Sequence, residues 1–201
     1  MANTQNTDLQ DDDFANRDAL AGVDALFVTR WSPRAFDSSA IDDATIARLV
    51  DAARWSPSCF NEQPWRFYTS TPETFADYLD LLLEGNQAWA ANAGVIGFLA
   101  GKTRFDRNGN NNDSFALDCG AAWMALTLQA RIEGLYTHGM AGIKHEAVQA
   151  YLGLDPEEER VLMGFAIGRR GDKKQLDAAL QEREAPSGRR ALAEIWRRGA
   201  G

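Results

Sequence analysis

The sequence predicts an α+β fold: one small sheet, helices packed on it, and a long central helix. Three observations carry this. Three short apolar or strand-forming runs, Trp65–Ser70, Gly94–Ala100 and Arg160–Gly168, are separated by helical patterns. The alternation is loose, and no GxGxxG or GxxxxGK[ST] follows a strand, so neither a dinucleotide-binding doubly wound sheet nor a P-loop is signalled. Residues 117–132 are apolar almost all round, as a buried helix is, with Gly120, Ala121, Ala122 and Ala125 leaving room for another backbone.

The elements follow in order. Residues 1–16 are polar and acidic and read as a flexible tail, with a single domain over 17–201. Arg17 to Thr29 reads as a first helix, with Leu20, Val23, Leu26 and Phe27 on one side, stopped by Pro33. Asp42 caps a second helix, in which Ile46, Leu49, Val50 and Ala53 recur at helical spacing, ending before Pro57. Thr71 and Pro72 open a third, which runs through ETFADYLDLLLE to Gly85. RFDRNGNNND, 104–113, is a polar loop with little reason to order by itself. Lys144–Leu152 is a short helix closed by Gly153.

The chain has 201 residues and a net charge of −8, which argues against general nucleic-acid binding because a phosphate backbone needs a basic surface. It does not exclude a local basic pocket for a small anion. The two cysteines, Cys59 and Cys119, and two histidines point to neither a disulfide framework nor a metal site. The cysteine usage fits a reducing cytoplasm best; no apolar run has the length to cross a bilayer, and the N-terminal residues read as neither a secretory signal nor a transit peptide.

Four stretches carry chemistry. In RWSPRAF, Arg30, Ser32 and Arg34 are spaced two apart around Trp31 and Pro33. Extended, they share a face, where two guanidinium groups and a hydroxyl suit a phosphate; the plain alternative is two surface arginines. In WSPSCFNEQPWRF, Pro57 and Pro64 stiffen both ends of a loop that presents Ser58, Asn61 and Gln63 to a heteroaromatic edge, or simply joins a helix to a strand. Cys59 reads as a small packed side chain rather than a nucleophile. In YTHGMAGI the glycines around Met140 and Ala141 permit close backbone approach, and His138 is a candidate proton donor or a packed ring. In PSGRRALAEIW, Arg189 and Arg190 are further anion ligands or a solvated basic end.

R-x-S-x-R followed about twenty-five residues later by P-S-x-x-N-x-Q-P-W-x-F resembles the nitroreductase family of FMN-dependent oxidoreductases. NQAW, GVIGFLA, DCGAAWMALTLQARIEGL, GMAGI and PSGRRALAEI agree in order, so the resemblance covers residues 18–196. It implies a three-layer fold in an intertwined homodimer, with FMN between the subunits and the central helix in the dimer core. It also implies hydride transfer from NADH or NADPH through flavin N5 to nitroaromatic, quinone or similar acceptors, by ping-pong exchange and with no catalytic side chain. By similarity, Arg30 and Ser32, with Arg189 and Arg190, hold the FMN phosphate, and Trp31 belongs to the same run. Arg34 lies near the N1/O2 edge, Asn86 at the pyrimidine edge and Met140 against a ring face. The backbones of Ala141 and Gly142 reach N5 and O4, while Pro57, Ser58, Cys59 and Asn61 approach from the partner. The same fold with an ene-reductase, dehydrogenase or dehalogenase reaction, or a non-catalytic FMN carrier, are the alternatives. Ala141 stands where many relatives carry glutamate or glycine, and loop 104–113 leaves the substrate range open.

Overall fold

The structure is a computed structural model that describes residues 14–199. Eight α-helices and four strands are present among these residues: α1 Ala25–Thr29, α2 Asp43–Arg54, β1 Trp65–Thr69, α3 Phe75–Asp80, α4 Glu84–Ala90, β2 Val95–Lys102, α5 Phe115–Ile132, β3 Tyr136–Met140, α6 His145–Tyr151, β4 Glu159–Gly168, α7 Ala178–Glu182 and α8 Leu192–Ile195. The strands form one antiparallel sheet in the order β1-β2-β4-β3.

The side-chain alternation of β2 explains the three layers. Ile96, Phe98 and Ala100 enter a core shared with Tyr78, Leu82, Trp89 and Val148, on the side of α3, α4 and α6. Val95 and Leu99 enter a second core with Leu49 and Ala53 of α2 and Cys119, Ala122, Leu126 and Ala130 of α5. Gly97 belongs to this second face. A Cβ there would lie 2.2 Å from the Phe165 ring and 2.6 Å from the Tyr68 carbonyl, so the glycine admits the ring of its cross-strand neighbour. Gly101 similarly leaves room for the Sγ of Cys119.

Helix α2 starts where the sequence places it, because the Asp42 carboxylate accepts from the Thr45 N–H at 2.7 Å. Helix α5 differs from the expectation of burial all round. Cys119, Ala122, Leu126 and Ala130 are buried, but Leu117, Met124 and Ile132 are 76%, 36% and 58% exposed on the opposite side. One side of α5 is thus packed in the core, while the other presents exposed apolar side chains.

Two helix expectations change. The first helix shrinks to α1, since Gly22 takes a left-handed φ of 91° and Asp24 caps the Leu26 N–H at 2.8 Å. Leu20 and Val23 then lie outside it, 67% and 48% exposed. The third helix, expected from Thr71 to Gly85, is reduced to α3, Phe75–Asp80, and a separate α4 starts at Glu84 and runs on to Ala90. Leu83 is extended and gives its N–H to the Gly142 carbonyl at 3.0 Å, while Lys144 N–H bonds the Leu81 carbonyl at 2.9 Å. Pairing with the turn after β3 overrides local helix propensity.

Strand β3 is an addition to the three expected strands. Loop 104–113 is ordered by a bridge between Arg104 and Asn111 and a Phe105 N–H bond to the Asn110 carbonyl at 2.9 Å. Of the expected tail, residues 1–13 lie outside the described residues, whereas Asn16 is docked, its amide donating to the Pro186 carbonyl at 2.9 Å. No helix among the described residues is long and apolar enough to cross a membrane.

Candidate functional site

After α1 the chain runs extended, beginning with Arg30 at φ −72°, ψ 123°. Trp31, Pro33 and Ala35 are buried, while Arg30, Ser32 and Arg34 alternate with them and are only half-buried. The predicted shared face therefore exists. It forms one wall of a cleft of about 340 Å³, lined also by Arg17, His138, Arg183, Ala185, Ser187 and Arg189.

The cleft holds five arginines and its lining has no carboxylate. Burial lowers the pKa of Arg30, and the neighbouring Arg189 lowers it further. Arg17 is lowered by burial and then by Arg189 and Arg30. Arg34 is lowered by burial and by Arg183, and the Glu184 charge opposes this. Guanidinium groups pressed together in a concave, partly desolvated site make a receptor for a compact anion of high charge. A phosphate monoester fits this donor set: bidentate guanidinium donors, the Ser32 hydroxyl, and charge repulsion that it relieves.

Arg17 helps to build the wall as well as to charge it. Its Nη1 donates to the Arg30 carbonyl at 2.8 Å and to the Val28 carbonyl, and its Nε donates to Ser187 O at 3.1 Å. Arg189 Nη1 donates to Ser187 Oγ at 3.1 Å and to the Gly188 carbonyl at 2.9 Å. Arg190 does not line the cleft. It lines the adjoining apolar groove with Leu20, Val23, Phe27, Leu192 and Ile195.

His138 closes another side. Its Nδ1 lies 2.9 Å from the Pro33 carbonyl, which can only accept, so the proton sits on Nδ1. The ring packs 4.6 Å from that of Trp89. Burial pushes its pKa down to about 4, with Arg34 adding to the shift and the Pro33 and Ser32 carbonyls opposing it. At neutral pH it is a neutral ring that presents Nε2 as an acceptor, not an imidazolium acid. Of the two readings of His138, the packed ring is the one observed.

Further along β3, Met140 is 4% exposed and Ala141 is exposed. The Asn86 amide donates to the Gly142 carbonyl at 2.9 Å, the same carbonyl that receives the Leu83 N–H. A Cβ on Gly142 would lie 2.6 Å from Asn86 Nδ2, so glycine is needed for this approach. The resemblance implies that Asn86 and Gly142 meet one ligand; in this chain they are bonded to each other.

Pro57, Ser58, Cys59 and Asn61 do not line the cleft. They lie on a separate loop with unusual backbone. Phe60, Asn61 and Gln63 take φ values of 53°, 59° and 51°, the left-handed region that non-glycine residues avoid. The loop is over-determined by its bonds: Cys59 N–H to the buried Asp118 carboxylate at 3.0 Å, Gln63 N–H to Ser58 Oγ at 2.9 Å, and Asp106 N–H to the Glu62 carboxylate. Phe60 is 70% exposed, with the Arg107 guanidinium 4.1 Å above its ring.

Sequence reasoning missed Arg17, Arg183, Ser187 and the buried Glu184. Arg17 sits in the acidic N-terminal region, and the other three lie about 150 residues beyond the run they support. Only their joint presence around a cleft marks them.

Comparison with known proteins identifies the family. The sequence model of the nitroreductase family matches residues 28–96 and 81–169. A crystal structure described as an oxidoreductase containing FMN is 39% identical, with a TM-score of 0.87, covering 92% of this chain and 96% of that one. The CLA biosynthesis enone reductase of Lactiplantibacillus plantarum is 28% identical over 184 residues, 73% of this chain and 84% of its own length. A Streptomyces coelicolor protein, provisionally named as an NADH dehydrogenase/NAD(P)H nitroreductase, is 39% identical over 88 residues, 43% of either chain. With its three-layer α+β fold, its R-x-S-x-R wall and a family match that spans most of its length, the chain belongs to the nitroreductase family.

Proposed function

We propose that the chain is an FMN-dependent oxidoreductase. It takes reducing equivalents from NADH or NADPH and passes them to an electron-poor acceptor such as a nitroaromatic or a quinone, in two half-reactions at one site. The observation that carries this reading is the cleft of mutually repelling arginines built on Arg30, Ser32 and Arg34. Supporting it is the near full-length similarity to an oxidoreductase whose structure contains FMN.

In this reading residues 17–201 form one cofactor-binding domain. Arg30, Ser32 and Arg189 hold the phosphate, and Arg17 and Arg183 contribute charge. Arg190, which faces the adjoining groove, acts on the phosphate at longer range. Trp31 supplies a buried wall, and Arg34 places a positive charge where the reduced isoalloxazine accumulates negative charge. Asn86, Met140 and the backbone at Ala141 and Gly142 orient the ring system. Bound FMN supplies the hydride-transfer chemistry at N5; the protein supplies position, electrostatics and exclusion of water. His138, with burial lowering its pKa and Nδ1 bonded to the Pro33 carbonyl, holds the wall.

The strained loop with Pro57, Ser58, Cys59 and Asn61 completes the site of a second copy in a homodimer. That these residues do not line the cleft of their own chain, and that one side of α5 is open and apolar, both favour this. The localisation that fits is the cytoplasm, where NADH and NADPH are supplied.

A second reading, reduction of an activated C=C bond, is favoured by the enone reductase match along most of the chain. Anaerobic titration of the flavin-loaded protein with NADH, then NADPH, tests the first reading. Bleaching of the flavin bands followed by recovery on adding a nitroaromatic or quinone is expected. Recovery with an enone but not with a nitroaromatic or quinone favours the second reading. Bound flavin that never bleaches makes the protein a carrier.

A further inference from the structure

The cleft lining contains no acid, yet one carboxylate is buried directly behind it. Glu184 is 5% exposed. Its Oε1 accepts from the Arg34 N–H at 2.8 Å and from the Ala35 N–H at 2.9 Å, and its Oε2 lies 3.0 Å from the Arg34 N–H. It reaches these groups from the segment after α7, 150 residues along the chain. Its neighbours on either side, Arg183 and Ala185, line the cleft, so the carboxylate joins two walls.

Arg34 and Ala35 lie outside the four-stranded sheet, so their N–H donors have no ladder partner. Arg34 and Ala35 would otherwise leave two N–H groups poorly satisfied behind a desolvated site. The carboxylate takes both: Oε1 accepts from each N–H, and Oε2 shares the Arg34 donor at 3.0 Å. The consequence is geometric: the backbone at Arg34 is fixed, and the guanidinium leaves it toward the cleft. The charge adds a second effect, since it opposes at Arg34 the repulsion from Arg183.

We propose that Glu184 is a positioning residue for FMN: it acts through the Arg34 and Ala35 backbone to hold the Arg34 guanidinium at the flavin. This rests on the reading of the cleft as an FMN site. The effect depends on where Oε1 sits, and only secondarily on the negative charge. It therefore predicts a rank order that a purely electrostatic role would reverse. Glu184→Gln keeps a carbonyl oxygen at the same reach and loses the charge. Glu184→Asp keeps the charge and withdraws the oxygen by one methylene.

The test is FMN affinity by fluorescence quenching of the apo-protein, with the flavin midpoint potential and the melting temperature measured on the same samples. Glu184→Gln is expected to bind FMN within about threefold of wild type. Its midpoint potential should rise, because removal of a nearby negative charge favours the anionic reduced flavin. Glu184→Asp is expected to bind about tenfold more weakly, the size of effect that a lost hydrogen bond to a charged group produces. Unchanged affinity in Glu184→Asp, or a tenfold loss in Glu184→Gln with Glu184→Asp intact, overturns the inference. So do variants that shift only the melting temperature, which would make Glu184 a folding residue alone. Wild-type protein that takes up no FMN overturns the functional reading, and the inference with it; wild type that binds FMN equally with all variants overturns the inference alone.

Discussion

The Asn86 side-chain amide donates to the Gly142 carbonyl at 2.9 Å, joining helix α4 to the turn after β3 across 56 residues of chain. The contact is possible because Gly142 has no Cβ. Gly142→Ala is expected to push the Asn86 amide aside, and a flexible side-chain end can yield at little cost to stability. FMN affinity should fall by about tenfold, the worth of one well-placed hydrogen bond, while the melting temperature stays near that of wild type. A fall in both together would show that the turn is a folding element and no more.

Arg30 is the cleft guanidinium whose pKa is lowered by burial and then by Arg189. Arg30→Ala removes a charged phosphate donor and should weaken FMN binding by about 1.5–3 kcal/mol. The salt dependence of binding should also become shallower, since one fewer cation is screened. Titration with FMN at two ionic strengths reads both effects.

The low pKa of His138 has a defined sign. Its folded value of about 4 lies below its ordinary value of 6.5 because burial disfavours the imidazolium. The unfolded chain therefore takes up the proton first. Stability from this group is complete above pH 6.5 and declines as pH falls toward about 4, by at most about 1.4 kcal/mol per pH unit. Urea unfolding at intervals across that window should show a steeper loss for wild type than for His138→Asn.

Gly97 gives a prediction about the core alone. The Phe165 ring occupies the space a side chain would need, and the Tyr68 carbonyl closes the other side. Neither is the far end of a flexible chain. Gly97→Ala should destabilise by about 1–3 kcal/mol or more through overpacking, read as a lower urea midpoint with an unchanged slope.

The open side of α5 predicts self-association. Met124→Glu places a charge in the middle of its exposed apolar stripe. If two copies meet there, sedimentation should show the variant as a smaller species that has also lost flavin. A shared site makes a further demand: mixing Arg30→Ala and Asn61→Ala subunits should restore one intact site in each mixed dimer. No recovery on mixing would remove Asn61 from the site.

The legible parts of the fold were those whose period is set within a few residues. Asp42 announces α2 because a carboxylate and a nearby N–H are a local pair. The R-x-S-x-R wall was readable because extended chain alternates. What escaped notice is non-local. Strand β3 is only five residues with a glycine inside, and pairing with β4 makes it a strand. The split between α3 and α4 comes from the Gly142 carbonyl, about sixty residues away. Arg17, Arg183 and Glu184 carry no motif, because the site assembles them from both ends of the described chain.

The burial of Cys119 has a practical consequence. Desolvation first, and then the Asp118 charge, push its thiol up to about 12, and its sulfur sits beneath Gly101 in the second core. Of the two sulfurs, Cys119 is buried, and the half-buried Cys59, on the left-handed loop, is the one that a water-borne alkylating reagent can approach. The rate at which a maleimide captures Cys59 reports when that loop is covered, and dilution or flavin removal should quicken it if a second subunit or the cofactor provides the cover.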